Sequence, residues 1–434
     1  MFQKKLRSAG LLVFLSFGFL STVPGFALQS IDTSSGLDQT FTAGYSQRSF
    51  AESFHKDFDA PLALEEAWDQ WRFYKGINVS GAYDSNIFAA KTNEKDDEFF
   101  TYTPTVGVSR KGGQAYFETY YDLSYVDYIE NEKLSRFNHS LTSTGGYQWT
   151  KLKLDVVNNF RPDTAYAVGE RTELRSAEGS RVVTYADNGQ ARLSYELSPK
   201  TSFAYTQAWS IYYFPTGPNT RGVHTLSSQT YTFSPSVSYK LTPKISLNGQ
   251  YSYATADFYK GGRFDSGSHA FGGGISGRVA PKTNLSFNAG YRFRNYDDAS
   301  LTDEEDFEMQ VAASHRLTSK LLLTAWYSRD LGENFDTVQS AVTNEIKDFV
   351  GLNLTWNITP HLALDSQGSV GFTDRPDASP DVENEYYETS VALNWSPKEN
   401  FAVALGYKFF DKESNLDEFE YKDHKVVTSL KWMF

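Results

Sequence analysis

Cysteine is absent from all 434 residues. That removes disulfide frameworks, thiolate metal sites, iron–sulfur clusters, cysteine nucleophiles and lipid attachment at cysteine. Positive charge is also scarce: 41 Lys and Arg against 53 Asp and Glu leave a formal net charge of -12. Phosphate binding needs a clustered excess of cations, so no nucleic-acid partner is expected. No mature segment reaches the 18 or more apolar residues of a membrane-crossing helix, and the mean hydropathy is -0.48. A helical membrane protein is excluded, whereas one that crosses with strands is not. Local chemical motifs are missing too. His55, His139, His224, His269, His315, His361 and His424 show no HxxxH or HExxH spacing that would support zinc. Gly272 to Gly277 fits GxGxxG but opens no helix, so it argues for no nucleotide site. No catalytic residue, metal ligand or cofactor is assigned.

What is present in abundance is aromatic: 28 Tyr, 33 Phe and 8 Trp. They are organised, and the organisation begins after two N-terminal segments. Residues 1–27 read as a signal peptide, with Lys4, Lys5 and Arg7 ahead of an apolar stretch from Gly10 to Val23 and small residues at Gly25 and Ala27. Its removal takes three cations away, changing the charge from -12 to -15. Residues 28–73 read as a periplasmic segment with a short helix from Pro61, where Leu64, Ala67, Trp68 and Trp71 share one face. That face either packs on the following domain or serves as a plug or docking handle.

From Tyr74 to Phe434 the period is two. Leu285, Phe287, Ala289, Tyr291 and Phe293 alternate with Ser286, Asn288, Gly290, Arg292 and Arg294. Such alternation marks a half-buried strand. Tight turns recur at Leu197–Lys200, Leu241–Lys244, Ala280–Lys282, Leu317–Lys320, Ile358–His361 and Trp395–Lys398, with looser members at Lys111–Gly113 and Trp149–Lys151. Their Lys or His positions lie between 37 and 49 residues apart, so the repeating unit is a hairpin. The opposite connections are longer and charged: 91–98, 162–181, 215–228, 331–343, 374–383 and 411–417. Eight tight turns plus a first and a last strand make about 18 strands. The predicted fold is all-β, a closed antiparallel transmembrane β-barrel over residues 74–434 with short periplasmic turns and longer extracellular loops.

Aromatic residues fall at two depths on the apolar face. Tyr147, Trp149, Tyr195, Tyr239, Trp356, Trp395 and Trp432 precede a tight turn or the terminus, and Tyr125, Tyr213, Tyr253, Phe293, Tyr327 and Phe409 lie at the other end. These are the positions of two interfacial girdles. The last strand, with Val426, Thr428, Leu430, Trp432 and a terminal Phe434 on one face, resembles the C-terminal assembly signature of Gram-negative outer-membrane barrels. Near the first strand, Gly81-Ala-Tyr-Asp-Ser-Asn-Ile-Phe88 resembles the Tyr-Asp-x-Asn-Ile-Phe opening of the putative beta-barrel porin 2 family. That resemblance implies a barrel of this length, often linked with exopolysaccharide systems, and carries over no catalytic residue.

A barrel of 16–18 strands encloses an aqueous lumen. With Phe434 outward, alternation turns Lys240, Asn248, Gln250, Arg278, Arg292, Arg294, Glu308 and Arg316 toward it. A hydroxyl and amide wall beside arginines suits a uronic or other anionic polysaccharide, since Arg grips carboxylates bidentately; equally, these charges pair with one another across strands. The leading expectation is an outer-membrane channel for hydrophilic solutes or the conduit of an exported polysaccharide. A barrel enzyme and a structural or adhesive barrel are the alternatives. The partners expected are outer-membrane lipid and lipopolysaccharide, the barrel assembly machinery through the Phe434 strand, and polysaccharide export components.

Overall fold

The period-two pattern becomes backbone hydrogen bonding in a computed structural model that describes residues 71–167, 181–214, 227–259, 265–299, 301–336, 341–375 and 381–434. The signal peptide and the segment to residue 70, with the helix expected from Pro61, lie outside the described residues. Eighteen strands follow one another: β1 (Arg72–Asp84), β2 (Asp97–Gly112), β3 (Ala115–Tyr128), β4 (Arg136–Gln148), β5 (Leu152–Ala167), β6 (Arg181–Glu196), β7 (Thr201–Tyr213), β8 (Ser228–Lys240) and β9 (Ile245–Phe258). The second half is β10 (Ser266–Ala280), β11 (Thr283–Tyr296), β12 (Glu304–Arg316), β13 (Leu321–Asp336), β14 (Ala341–Thr359), β15 (Leu362–Arg375), β16 (Val382–Lys398), β17 (Phe401–Ser414) and β18 (Tyr421–Met433).

Each strand pairs antiparallel with its neighbour in sequence, and β1 pairs both with β2 and with β18, which closes the sheet. Closure leaves no edge, the condition for a sheet to cross lipid. Following hydrogen-bonded partners once around the wall from Gly76 returns to β1 about 22 residues further along. With 18 strands, that stagger tilts them by about 40° and sets a backbone radius of about 17–18 Å.

The two faces separate as the alternation requires. Val237, Phe271, Phe287, Leu393, Leu405, Leu430 and Phe434 are exposed apolar residues on the face that meets lipid. Tyr147, Trp149, Tyr195, Tyr239, Trp356, Trp395 and Trp432 are exposed beside the turns, at girdle depth. At the outer girdle Tyr213 and Phe293 are exposed. Tyr125, Tyr253 and Phe409 there stack on Phe137 (4.7 Å), His269 (4.8 Å) and His424 (4.9 Å). The same register recurs on three hairpins: Tyr121, Tyr251 and Tyr407 hydroxyls share a hydrogen bond with His139, His269 and His424 Nδ1.

Several strand boundaries differ from the sequence reading: β1 begins at Arg72, and β5 and β17 run on to Ala167 and Ser414, into the loops expected from 162 and 411. β16 runs through Ser396 and Pro397 to Lys398, with the register shifting between Trp395 and Lys398, so the turn is Glu399–Asn400. A bulge absorbs the proline, which has no N–H to give a ladder. β13 and β14 also stay paired past the loop expected from Leu331 to Thr343, as far as Asp336 opposite Ala341. Beyond the lipid both faces meet water, so backbone pairing continues where side-chain alternation has lost its reason.

Candidate channel interior

The inward face divides into sectors of different chemistry. From β7 to β10 hydroxyls and amides predominate, with Ala204, Ala256, Ala270 and Phe258 buried among them. Thr206, Ser234, Gln250, Ser252, Ser266 and Ser268 are buried there, and the Ser234 and Ser252 hydroxyls lie 2.9 Å apart. Asn248 Nδ2 donates to Asn288 Oδ1 at 2.9 Å. That bond reaches from β9 to β11, across Gly274 of β10. A methyl group at Gly274 would overlap Asn288 Oδ1 and the Phe287 carbonyl. The close approach allowed by this glycine is thus an amide bridge along the wall. Gly274→Val should cost about 1–3 kcal/mol by overpacking, measured as a lowered urea midpoint with an unchanged transition slope; a wild-type midpoint would show that the bridge moves freely aside.

From β11 round to β1 the outer half of the wall carries ion pairs. Arg292 Nε pairs with Glu308 Oε1, their side chains 5% and 4% exposed. Glu345 accepts from Lys347 Nζ at 2.8 Å and Arg375 Nε at 3.1 Å. Lys408 Nζ meets Glu388 at 2.9 Å, and Lys425 Nζ meets Asp84 at 2.6 Å. Every one of these pairs joins acid and base with low exposure, the arrangement that offsets desolvation. Lower on the same wall, Asp365 accepts from Thr355 Oγ1 (2.7 Å) and Asn394 Nδ2 (2.8 Å).

Among the residues singled out from the sequence, Arg292, Arg294, Glu308 and Gln250 are buried, and Asn248 is half-buried. Lys240, Arg278 and Arg316 are exposed at the turn ends of β8, β10 and β12. The structure therefore holds these cations at two ends of the wall and joins Arg292 to Glu308 rather than to the other arginines. The triad of Glu345, Lys347 and Arg375 escaped sequence reasoning, although Lys347 between Ile346 and Asp348 was a detectable signal. What hid it was Phe349, an apolar inward residue that breaks the alternation; it is buried, 6.0 Å from the Tyr386 ring.

The third sector lies at the outer end of β1 to β4 and is apolar. Ile87, Val126, Tyr128 and Leu134 form a buried cluster with Phe88 and Phe99 packed on it. Val126, Tyr128 and Phe99 alternate with the outward Tyr125, Asp127 and Phe100, so they face the lumen. Ile87 and Phe88 belong to the loop after β1, and Leu134 to the short helical turn Glu132–Leu134 after β3. Asp97 fastens the second loop by accepting from Glu130 N (3.0 Å), Asn131 N (2.9 Å) and Asn131 Nδ2 (2.8 Å). In the first loop Lys91 Nζ reaches Glu420 at 2.5 Å and Asp417 at 3.1 Å. The Glu420 bond, then the Asp417 bond, raise the Lys91 ammonium above the ordinary lysine value. A raised lysine keeps its tie at all pH values below its unfolded value while both carboxylates stay ionised, and loses it only at more alkaline pH.

A search of curated protein sequences returns no match. Among solved structures, OpdK of Pseudomonas aeruginosa, determined with vanillate, aligns at TM-score 0.48 and 8% identity over 83% of this chain and 99% of its own. A BenF-like porin from Pseudomonas fluorescens Pf-5 aligns at TM-score 0.48 and 10% identity, covering 83% and 99%. OccAB4 of Acinetobacter baumannii does so at TM-score 0.46 and 12% identity, covering 84% and 98%. The model of the putative beta-barrel porin 2 family matches residues 70–434, the whole of the eighteen-stranded wall and the Tyr83–Phe88 motif with it. The chain belongs to the putative beta-barrel porin 2 family and is an outer-membrane barrel of the porin type.

Proposed function

We propose that the barrel is a passage for polyhydroxylated, weakly charged solutes, with carbohydrate as the substrate class. The hydroxyl and amide wall of β7 to β10 supports this reading most directly. Serine, threonine, asparagine and glutamine offer donors and acceptors at close spacing, and a sugar that leaves water exchanges its hydrogen bonds for theirs at little net cost. The cations of the opposite wall lend less support to a carboxylate-gripping track, because Arg292, Lys347, Arg375, Lys408 and Lys425 already have carboxylate partners. A polysaccharide in transit is the extended form of the same substrate, and a wall of repeated small polar groups favours it over a single-sugar pocket.

Planar-bilayer recording tests the channel, and vesicle swelling with uncharged oligosaccharides of increasing length tests the solute. The expected result is stepwise conductance together with swelling by neutral oligosaccharides at rates no lower than those of uronic oligomers of equal length. Absence of both conductance and swelling would overturn the channel. Conductance with swelling confined to the uronic series would overturn the neutral-solute assignment and favour the anionic one.

A further inference from the structure

The Tyr83–Phe88 motif lies where the first strand meets the last, and every polar side chain in it is used. Asp84 joins Lys425 of β18 at 2.6 Å and accepts from Asn86 N at 3.1 Å. Ser85 N donates to His424 O (2.9 Å), and His424 N to Ser85 Oγ (2.8 Å). Asn86, 3% exposed, donates from Nδ2 to Lys422 O and Ala90 O, both at 2.8 Å, and accepts from Ala90 N at 2.9 Å. Tyr83 hydroxyl reaches Asp96 at 3.2 Å. The loop closes on itself through Ile87 N to Lys95 O at 2.9 Å, and Lys91 adds the tie to Asp417 and Glu420.

This clasp throws the loop inward. Ile87 and Phe88 sit on Val126, Tyr128, Phe99 and Leu134, and whatever packs on inward-facing residues of a barrel wall occupies its bore. Lys95 and Lys425 stand 5.5 Å from the Phe88 and Phe99 rings, within cation–π range. Ala89 and Asn93 carry positive φ of 50° and 57°, a conformation disfavoured for side-chain-bearing residues that survives where surroundings over-determine it. Phe99, Val126 and Tyr128 on the inner wall are sheltered from water where this loop covers them.

We infer that the segment from Asn86 to Lys95 is the size-selecting constriction of the channel, held in the bore by the Asp84–Phe88 clasp across the β1–β18 seam. This rests on the channel reading above and names the element that sets its cut-off. Thr92 to Lys95 are exposed, and on this reading they form the rim that a passing solute meets.

Two measurements on the full chain in planar bilayers test it. Ile87→Ser with Phe88→Ser should release the loop, raise single-channel conductance about twofold and lengthen the largest oligosaccharide admitted. Because the chain has no cysteine, Thr92→Cys can be labelled alone after folding; conductance should then fall in steps that grow with the size of the thiol reagent. A wild-type channel whose conductance is unaltered by both changes overturns the constriction and leaves the channel reading standing. A silent wild type that opens in the double-serine variant supports the constriction as a closed plug. Silence in both refutes constriction and channel together. Should the serine variant fail to fold, the Thr92→Cys labelling series decides alone.

Discussion

Glu345→Gln is expected to lower the unfolding free energy by about 3–5 kcal/mol, because it removes the one negative charge that Lys347 and Arg375 share in a buried site. Glu345 accepts from both Lys347 and Arg375, and the three side chains are 3%, 5% and 2% exposed. Glutamine keeps the shape and a carbonyl acceptor but removes the charge that offsets the desolvation of the ammonium and the guanidinium. The loss is a penalty for the residues left behind rather than the net worth of the triad. Adding Lys347→Met to Glu345→Gln should therefore recover part of it, giving a positive coupling in a double-mutant cycle. Urea unfolding in lipid vesicles, followed by tryptophan fluorescence, measures both. A loss below about 1 kcal/mol would mean that the triad is solvated like a surface pair.

The second large effect turns on a single step along β8. Phe233→Arg places a guanidinium on the lipid face halfway up the strand and should cost about 2–4 kcal/mol. Thr232→Arg places the same group one residue earlier, on the hydroxyl wall, where water meets it; folding should be nearly unchanged and the reversal potential in a salt gradient should move toward anions. The contrast depends on alternation and on register, since a one-residue slip exchanges the two faces. Phe233 lies opposite Gln207 and Tyr253, and Thr232 opposite Ala208 and Ala254. If Phe233→Arg were tolerated and Thr232→Arg were not, the faces would be assigned the wrong way round.

These two experiments separate what a linear pattern conveys from what it does not. Phe233 and Thr232 could be sorted by reading every second residue, because lipid imposes the same rule on each strand. The tight turns were legible for a related reason: proline and lysine at a hairpin end carry local conformational and interfacial demands. The extension of β13 to Asp336 was not legible, since water outside the membrane removes the contrast between faces. Neither was the Glu345 triad, because charge pairing depends on which strand lies alongside. Lys347 is two positions from Glu345 on the same strand, but Arg375 lies on β15, 30 positions away in the chain, and only the register of β14 on β15 brings it to Glu345. Tyr83–Phe88 was visible as a motif but not as a device. Its partners Lys422, His424 and Lys425 lie at the far end of the sequence and become neighbours only when the wall closes.

Sequence alone determined that the chain crosses a membrane with strands, how many there are, which face of each meets lipid, and where the two girdles lie. Those properties follow from local alternation and turn chemistry, each decided within about ten residues. The tertiary structure decided how the bore is furnished: which arginines are already bound to carboxylates, that an amide bridge runs over Gly274, and that the first loop turns inward. These depend on inter-strand stagger and on the closing of β1 against β18, and no segment of the chain contains that information by itself.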